Sequence, residues 1–173
     1  MNDKISLELT ERDAYLRDYL IDKFNKYVEL SQSDLLEIGI GKGRFGLLLA
    51  QSVARYYGTD VKKELVEIAI ADSNKGDNVT YKIGNAENIP FSRQFDIIFY
   101  SLSWHFIKNT EKALEEAKRV MHPDGIVAIL EPSENTTEWA NLRLTKGSPE
   151  FDEEYLSRKL ENEAPNRSKL RGI

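Results

Sequence analysis

The stretch "DLLEIGIGKGRFGLLLA", residues 34–50, holds the densest chemistry in the chain. Counted from Gly41, "GKGRFG" completes a G-x-G-x-x-G, the pattern of a loop that cradles a dinucleotide pyrophosphate. Counted from Glu37, "EIGIGKG" is an acid followed by three alternating glycines, Gly39, Gly41 and Gly43. Glycines in that position let a ligand approach the backbone closely. The acid separates the two readings. A dinucleotide loop would extend the strand to Gly41 and enclose Glu37, and an unpaired carboxylate is costly in a strand buried on both faces unless it shifts its pKa or finds a partner. If the strand ends near Ile38, Glu37 stands at its carboxyl end, beside the ligand.

A carboxylate repels a pyrophosphate at short range and attracts a cation. S-adenosylmethionine carries an ammonium and a sulfonium and no phosphate, so Glu37 favours it over NAD. Asp60 follows Gly41 by about the 20 residues expected of a ribose-binding acid, a spacing that NAD would satisfy equally. Its alternative role is to cap the helix beginning at Lys62.

The elements that must position these groups alternate. Apolar residues Tyr15, Leu16, Tyr19, Leu20, Phe24, Tyr27 and Val28 recur at helical spacing over Thr10–Leu30, with Thr10 and Asp13 as a partial capping box. Then "LLEIG" reads as a strand, "RFGLLLAQSVA" as a helix, "RYYGTD" as a strand, and "KKELVEIAIADS" as a helix with Leu65, Ile68 and Ala69 inward. "VTYKIG" and "FDIIFYS" are further strands, joined by a tight connection with little helix. "TEKALEEAKRVM" is a helix capped by Asn109 or Thr110, "HPDG" a turn with His122 on the surface, and "IVAILE" a fifth strand. The pattern predicts an α/β fold: an open, doubly wound, mainly parallel five-stranded sheet with helices on both faces, Rossmann-like. Ligands of such sheets lie beyond the carboxyl ends of the strands.

Residues 33–132 resemble the class I S-adenosylmethionine-dependent methyltransferases in four ordered motifs. "LLEIGIGKGRFGLLLA" resembles the family's first motif, and "YYGTDVKKELVEIA" its second strand, whose terminal acid, here Asp60, accepts hydrogen bonds from both ribose hydroxyls. "YKIGNAENIPF" resembles the adenine loop, and "FDIIFYSLSWHFI" and "ALEEAKRVMHPDGIVAILEP" the later strands and helix. The resemblance implies that Val61 packs on the adenine and that Ala86 offers it a backbone N–H. Asn85 stands where an aspartate is commoner and would accept from the adenine amino group, or be a plain turn residue. Ser101 would contact the methionyl part through its backbone. His105 matches a histidine bordering the acceptor pocket, either a base or a hydrogen-bonded structural residue. Glu131, ending the fifth strand, would touch the acceptor or pair with a cation. Methyl transfer is an in-line displacement that needs positioning more than a nucleophile, so the absence of a catalytic triad does not count against an enzyme.

The net charge of −5 argues against nucleic acid or an anionic membrane as partner, and the absence of cysteine excludes disulfides and thiolate metal sites. No metal site is expected; the start is too polar for a signal peptide, and a cytoplasmic location is the default. Residues 1–147 are expected to form the cofactor domain, with residues 1–31 as an N-terminal helical segment able to close over the cofactor. Residues 148–173 would be a mobile polar tail. After Glu131 the chain shows too little alternation for the family's closing hairpin. Short helices are expected around Glu138–Leu144 and Asp152–Glu161, leaving the fifth-strand edge to a homodimer or partner protein. An active methyltransferase on a small-molecule acceptor, favoured over protein or RNA, leads. A non-catalytic S-adenosylmethionine-binding or partner-binding module and an NAD-dependent oxidoreductase are the alternatives.

Overall fold

The computed structural model describes residues 11–72, 76–132 and 140–146. In chain order the elements are α1 (Glu11–Asn25), β1 (Asp34–Ile38), α2 (Arg44–Leu49), β2 (Arg55–Asp60), α3 (Lys63–Asp72), β3 (Val79–Ile83), β4 (Phe95–Ser101), α4 (Thr110–Val120), β5 (Met121–Pro132) and β6 (Ala140–Lys146). The sheet order is β3-β2-β1-β4-β5-β6. The first five strands run parallel and β6 antiparallel to β5.

Strand periodicity sorts the core into two layers. Leu35, Ile97, Phe99, Ile126, Ala128 and Leu130 face α1 and α2, where Leu16, Leu20, Phe24, Leu48 and Leu49 are buried. Leu16, Leu20 and Phe24 repeat every fourth residue, which puts them on one side of α1. On the other face Leu36, Ile98, Tyr100, Val127 and Ile129 meet Ala113, Ala117 and Val120 of α4. Asn109 caps α4, its side chain accepting from the Lys112 N–H at 2.9 Å.

Several expectations need correction. The helix expected around Glu138–Leu144 is β6, whose backbone pairs with β5 from Ile126↔Lys146 to Pro132↔Ala140. The sheet therefore has six strands, and the fifth-strand edge expected to await a partner is taken by the chain itself. "HPDG" is no turn but part of β5, out of register with β4: Phe95 pairs with Met121 and Ile97 with Ile126. His122 is exposed there. α3 buries Val66 and Ala69, while Ile68 faces outward. α1 is no lid, because its apolar side is fixed in the core. The Thr10 cap, the Asp152–Glu161 helix and the tail 148–173 lie outside the described residues.

Candidate functional site

The site is built where β1 ends and the chain turns into α2. Gly39 (φ +81) and Ile40 donate their N–H groups to Thr59 O at 2.8 and 3.2 Å, tying the loop to the end of β2. A Cβ on Gly39 would lie 2.4 Å from Ser103 Cβ, and Ser103 Oγ donates to Ile38 O at 2.6 Å. Gly39 is therefore required by both backbone angle and space. Among the described residues a Cβ on Gly41 (φ +54) would meet nothing within 4 Å, and the Gly41 N–H donates to Asp60 Oδ2 at 3.0 Å. Gly43 serves packing instead: its Cβ position is 2.8 Å from Ala69 Cβ of α3, and it does not line the cleft.

Above this loop opens a cleft of about 760 Å³, within the usual range of small-molecule sites. Among the residues lining it are Gly39, Gly41, Asp60, Val61, Asn85, Ala86 and Ser101, seven of the nine expected cofactor contacts. Val61 is 62% exposed, an apolar side chain left largely open on the cleft. Asp60 accepts from Lys62 N at 2.9 Å through Oδ1 as well as from Gly41 through Oδ2, so it both fixes the loop and serves the start of α3. The Asn85 side-chain carbonyl accepts from Glu87 N at 2.9 Å, an Asx turn.

Glu37 is the other expected contact absent from the lining. It lies inside β1, fully buried, on the face of Leu35, with Gly58 of β2 and Phe99 of β4 as register partners. Its carboxylate accepts hydrogen bonds from the hydroxyls of Tyr56 and Ser101. Burial pushes its pKa up to about 7; the two hydroxyl bonds pull the other way, and the negative charge of Asp60 adds to the rise. Glu37 thus meets the cost of burial by both escapes, a partner and a shifted pKa. Its position alone does not decide between ligands, and it reaches the cleft through Ser101.

His105 and Glu131 come together. After β4 the chain makes a 3-10 turn, Trp104–Phe106. Glu131 Oε2 lies 2.6 Å from His105 Nδ1, and Oε1 accepts from Trp104 N at 3.0 Å. Neither side chain lines the cleft itself; their neighbours Ser103 and Phe106 do. Three further residues were not legible. Leu102 lines the cleft in the left-handed region (φ 53), a strained non-glycine conformation held as its N–H donates to Leu130 O at 2.7 Å. Phe106 lines it while 77% exposed. Arg44, also on the lining, donates from Nε to buried Asp13 of α1 at 2.8 Å. Among the described residues no cluster of His, Asp and Glu is suited to a metal ion, and no helix is long and apolar enough to cross a membrane.

Residues 36–129, more than half of the chain, match the family model described as "Methyltransferase domain". The chain belongs to this methyltransferase family. That membership, rather than Glu37, sets aside the oxidoreductase alternative. The chain is 36% identical over 94 residues to the uncharacterized methyltransferase YcgJ of Bacillus subtilis, covering 53% of this chain and 37% of that protein. It is 30% identical over 122 residues to the demethylmenaquinone methyltransferase of Lactobacillus johnsonii, covering 66% of this chain and 50% of that protein. The crystal structure of a SAM-dependent methyltransferase from Aquifex aeolicus superposes with a TM-score of 0.60 at 27% identity, over 78% of this chain and 71% of the other. The chain thus spans half or less of the length of these two curated relatives.

Proposed function

We propose that the protein is an S-adenosylmethionine-dependent methyltransferase acting on a small-molecule acceptor. The observation that carries this is the pairing of Gly41 with Asp60: an open space over a positive-φ glycine, with a carboxylate beside it at the carboxyl end of the neighbouring strand. Family membership supports the cofactor, and the small-molecule size of the cleft, about 760 Å³, supports a small acceptor over a macromolecule.

The residues present fit the cofactor. Each oxygen of Asp60 has one lone pair engaged by a backbone N–H and another left for a ribose hydroxyl, so capping and ribose binding coexist. Val61 and Ala86 would border the adenine, with the second lone pair of the Asn85 carbonyl for its amino group. The backbone at Gly39 and Ser101 would run along the methionyl part. When bound, S-adenosylmethionine supplies an electrophilic methyl carbon whose bond to sulfur breaks with the electron pair on sulfur. The chain's task is to hold the acceptor in line and exclude water.

Calorimetric titration with S-adenosylmethionine, S-adenosylhomocysteine and NAD tests this. The first two should bind with micromolar affinity and raise the melting temperature, and NAD should do neither. Stabilisation by NAD alone would overturn the proposal. Cofactor binding without transfer to any acceptor of a broad panel would favour a non-catalytic binding module.

A further inference from the structure

Among the described residues five charged side chains line the cleft: Arg44, Asp60, Lys62, Glu87 and Lys108. Three of them are engaged by the protein. Asp60 accepts from the N–H groups of Gly41 and Lys62, Glu87 Oε1 accepts from Asn109 N at 3.2 Å, and Arg44 donates to Asp13. Lys62 and Lys108 are exposed, and among the described residues neither ammonium has an ion-pair or hydrogen-bond partner. Other lysines of this acid-rich chain do meet carboxylates, as Lys63 meets Glu67 and Lys112 meets Glu115. A solvated lysine is ordinary on a surface, so its surroundings must decide. What sets Lys108 apart is the wall that it ends. Leu102, Phe106 and Ile107 line the cleft on the same segment between β4 and α4, and Phe106 is largely exposed there. The segment leaves the sheet at Ser101 and reaches the loop of Asn85 and Ala86 where Asn109 N meets Glu87. It presents an apolar face with an unpaired cation at its far end.

We propose that the acceptor is an apolar small molecule bearing an anionic group, carboxylate or phosphate, which Lys108 holds while Leu102, Phe106 and Ile107 cover its body. This rests on the methyl-transfer reading and names its substrate class. An ammonium is a point charge with three donors, so it takes either anion. The apolar wall supplies burial, and the lysine decides which end of the acceptor faces the cofactor. Ser101, at the other end of the segment, is where the methionyl part would run. The methylated atom is therefore remote from the anionic group. The cofactor's own carboxylate is left to Arg44, which opens α2 directly after the glycine loop. Lys62 follows Val61 on the adenine side and contributes its charge only at longer range.

2-Naphthoate, 2-naphthyl phosphate and neutral 2-naphthamide are the probes, one flat apolar body with different charge. Each is titrated calorimetrically, at near-neutral pH and low salt, into the full chain saturated with S-adenosylhomocysteine. The better of the two anions should bind at least about threefold more tightly than the amide, and added salt should shrink that margin. Which anion binds better tells a carboxylic acid from a phosphate ester. Lys108→Gln should remove the margin without weakening the amide, and Lys108→Arg should restore most of it. Lys62→Gln should keep more of the margin than Lys108→Gln does. All variants should keep the wild-type melting shift with S-adenosylhomocysteine, which shows that they fold and bind. Loss of that shift in Lys108→Gln would assign the lysine to the cofactor and overturn the proposal. Anions that bind no better than the amide, that do not bind, or that keep their margin in Lys108→Gln also overturn it, as does a greater loss in Lys62→Gln. Failure of S-adenosylhomocysteine to stabilise the wild type is a separate result, and it sinks the underlying methyl-transfer reading.

Discussion

The Gly41 N–H donates to Asp60 Oδ2 at 3.0 Å, so the glycine loop after β1 and the acid ending β2 are one unit. The acid shapes the loop before any ligand arrives. Preorganisation of this kind lowers the ordering cost of binding.

Replacing Asp60 therefore has two consequences. Asp60→Ala removes the acceptor for Gly41 N and Lys62 N and, on the proposed reading, both charge-assisted ribose bonds. We expect S-adenosylhomocysteine affinity to fall at least about tenfold, from roughly 1.5–3 kcal/mol of lost bonding. Asp60→Asn keeps one side-chain acceptor and should lose less. Titration calorimetry on folded variants checks this, and unchanged affinity in Asp60→Ala would leave the residue only its loop and helix-start roles.

The three glycines should separate when each is changed to alanine. At Gly39 a Cβ collides with Ser103, and at Gly43 with Ala69. Both variants should lose stability, by roughly 1–3 kcal/mol from strain and forced displacement. Gly41→Ala meets no atom of the described residues within 4 Å and carries only the strain of its positive φ, so it should keep more stability than the other two while losing cofactor affinity. Thermal melts with and without S-adenosylhomocysteine distinguish the patterns. An equal loss of stability at all three positions would refute the division of roles.

Glu37 gives the apoprotein a pH dependence. Below about pH 4.5 the carboxyl is protonated in both folded and unfolded chains. Between 4.5 and about 7 the unfolded chain releases the proton and the folded chain keeps it, so stability falls as pH rises. Above about 7 the loss is complete. At about 1.36 kcal/mol per pH unit, that interval amounts to a loss on the order of 3 kcal/mol. Glu37→Gln abolishes this component, so urea unfolding at pH 5 and pH 8 should show the wild type losing more stability than the variant. Parallel behaviour of the two proteins would mean that Glu37 ionises normally.

The alternation of strands and helices was legible because each element carries its own periodicity, as with Leu16, Leu20 and Phe24 or the apolar run 126–130. The glycine loop was legible because its residue types are dictated locally. What failed depended on partners distant in sequence. Glu37 looked ligand-facing because nothing in its own strand marks Tyr56 and Ser101 as its donors. His105 and Glu131 were found singly and paired only by the fold. "ANLRLTK" has Leu142 and Leu144 as its only large apolar residues, too few to declare a strand. It is one because β5 offers a free ladder beside it.

That ladder supplies the last prediction. In a strand, successive N–H groups point to opposite sides, one toward the neighbouring strand and the next away. Arg143 and Leu144 stand opposite Ile129 and Ala128, so one of the two amides faces β5 and the other faces outward. Proline cannot donate to a ladder and is tolerated on an edge strand where its nitrogen faces solvent. Arg143→Pro and Leu144→Pro should therefore differ sharply, one nearly silent and the other destabilising by about 2–3 kcal/mol through a lost bond and an orphaned carbonyl on β5. In a helix both prolines would be severe, and in a segment that packs on nothing both would be silent. Chemical denaturation of the two variants decides among these outcomes, and amide exchange along Ile126–Leu130 should rise only in the severe one.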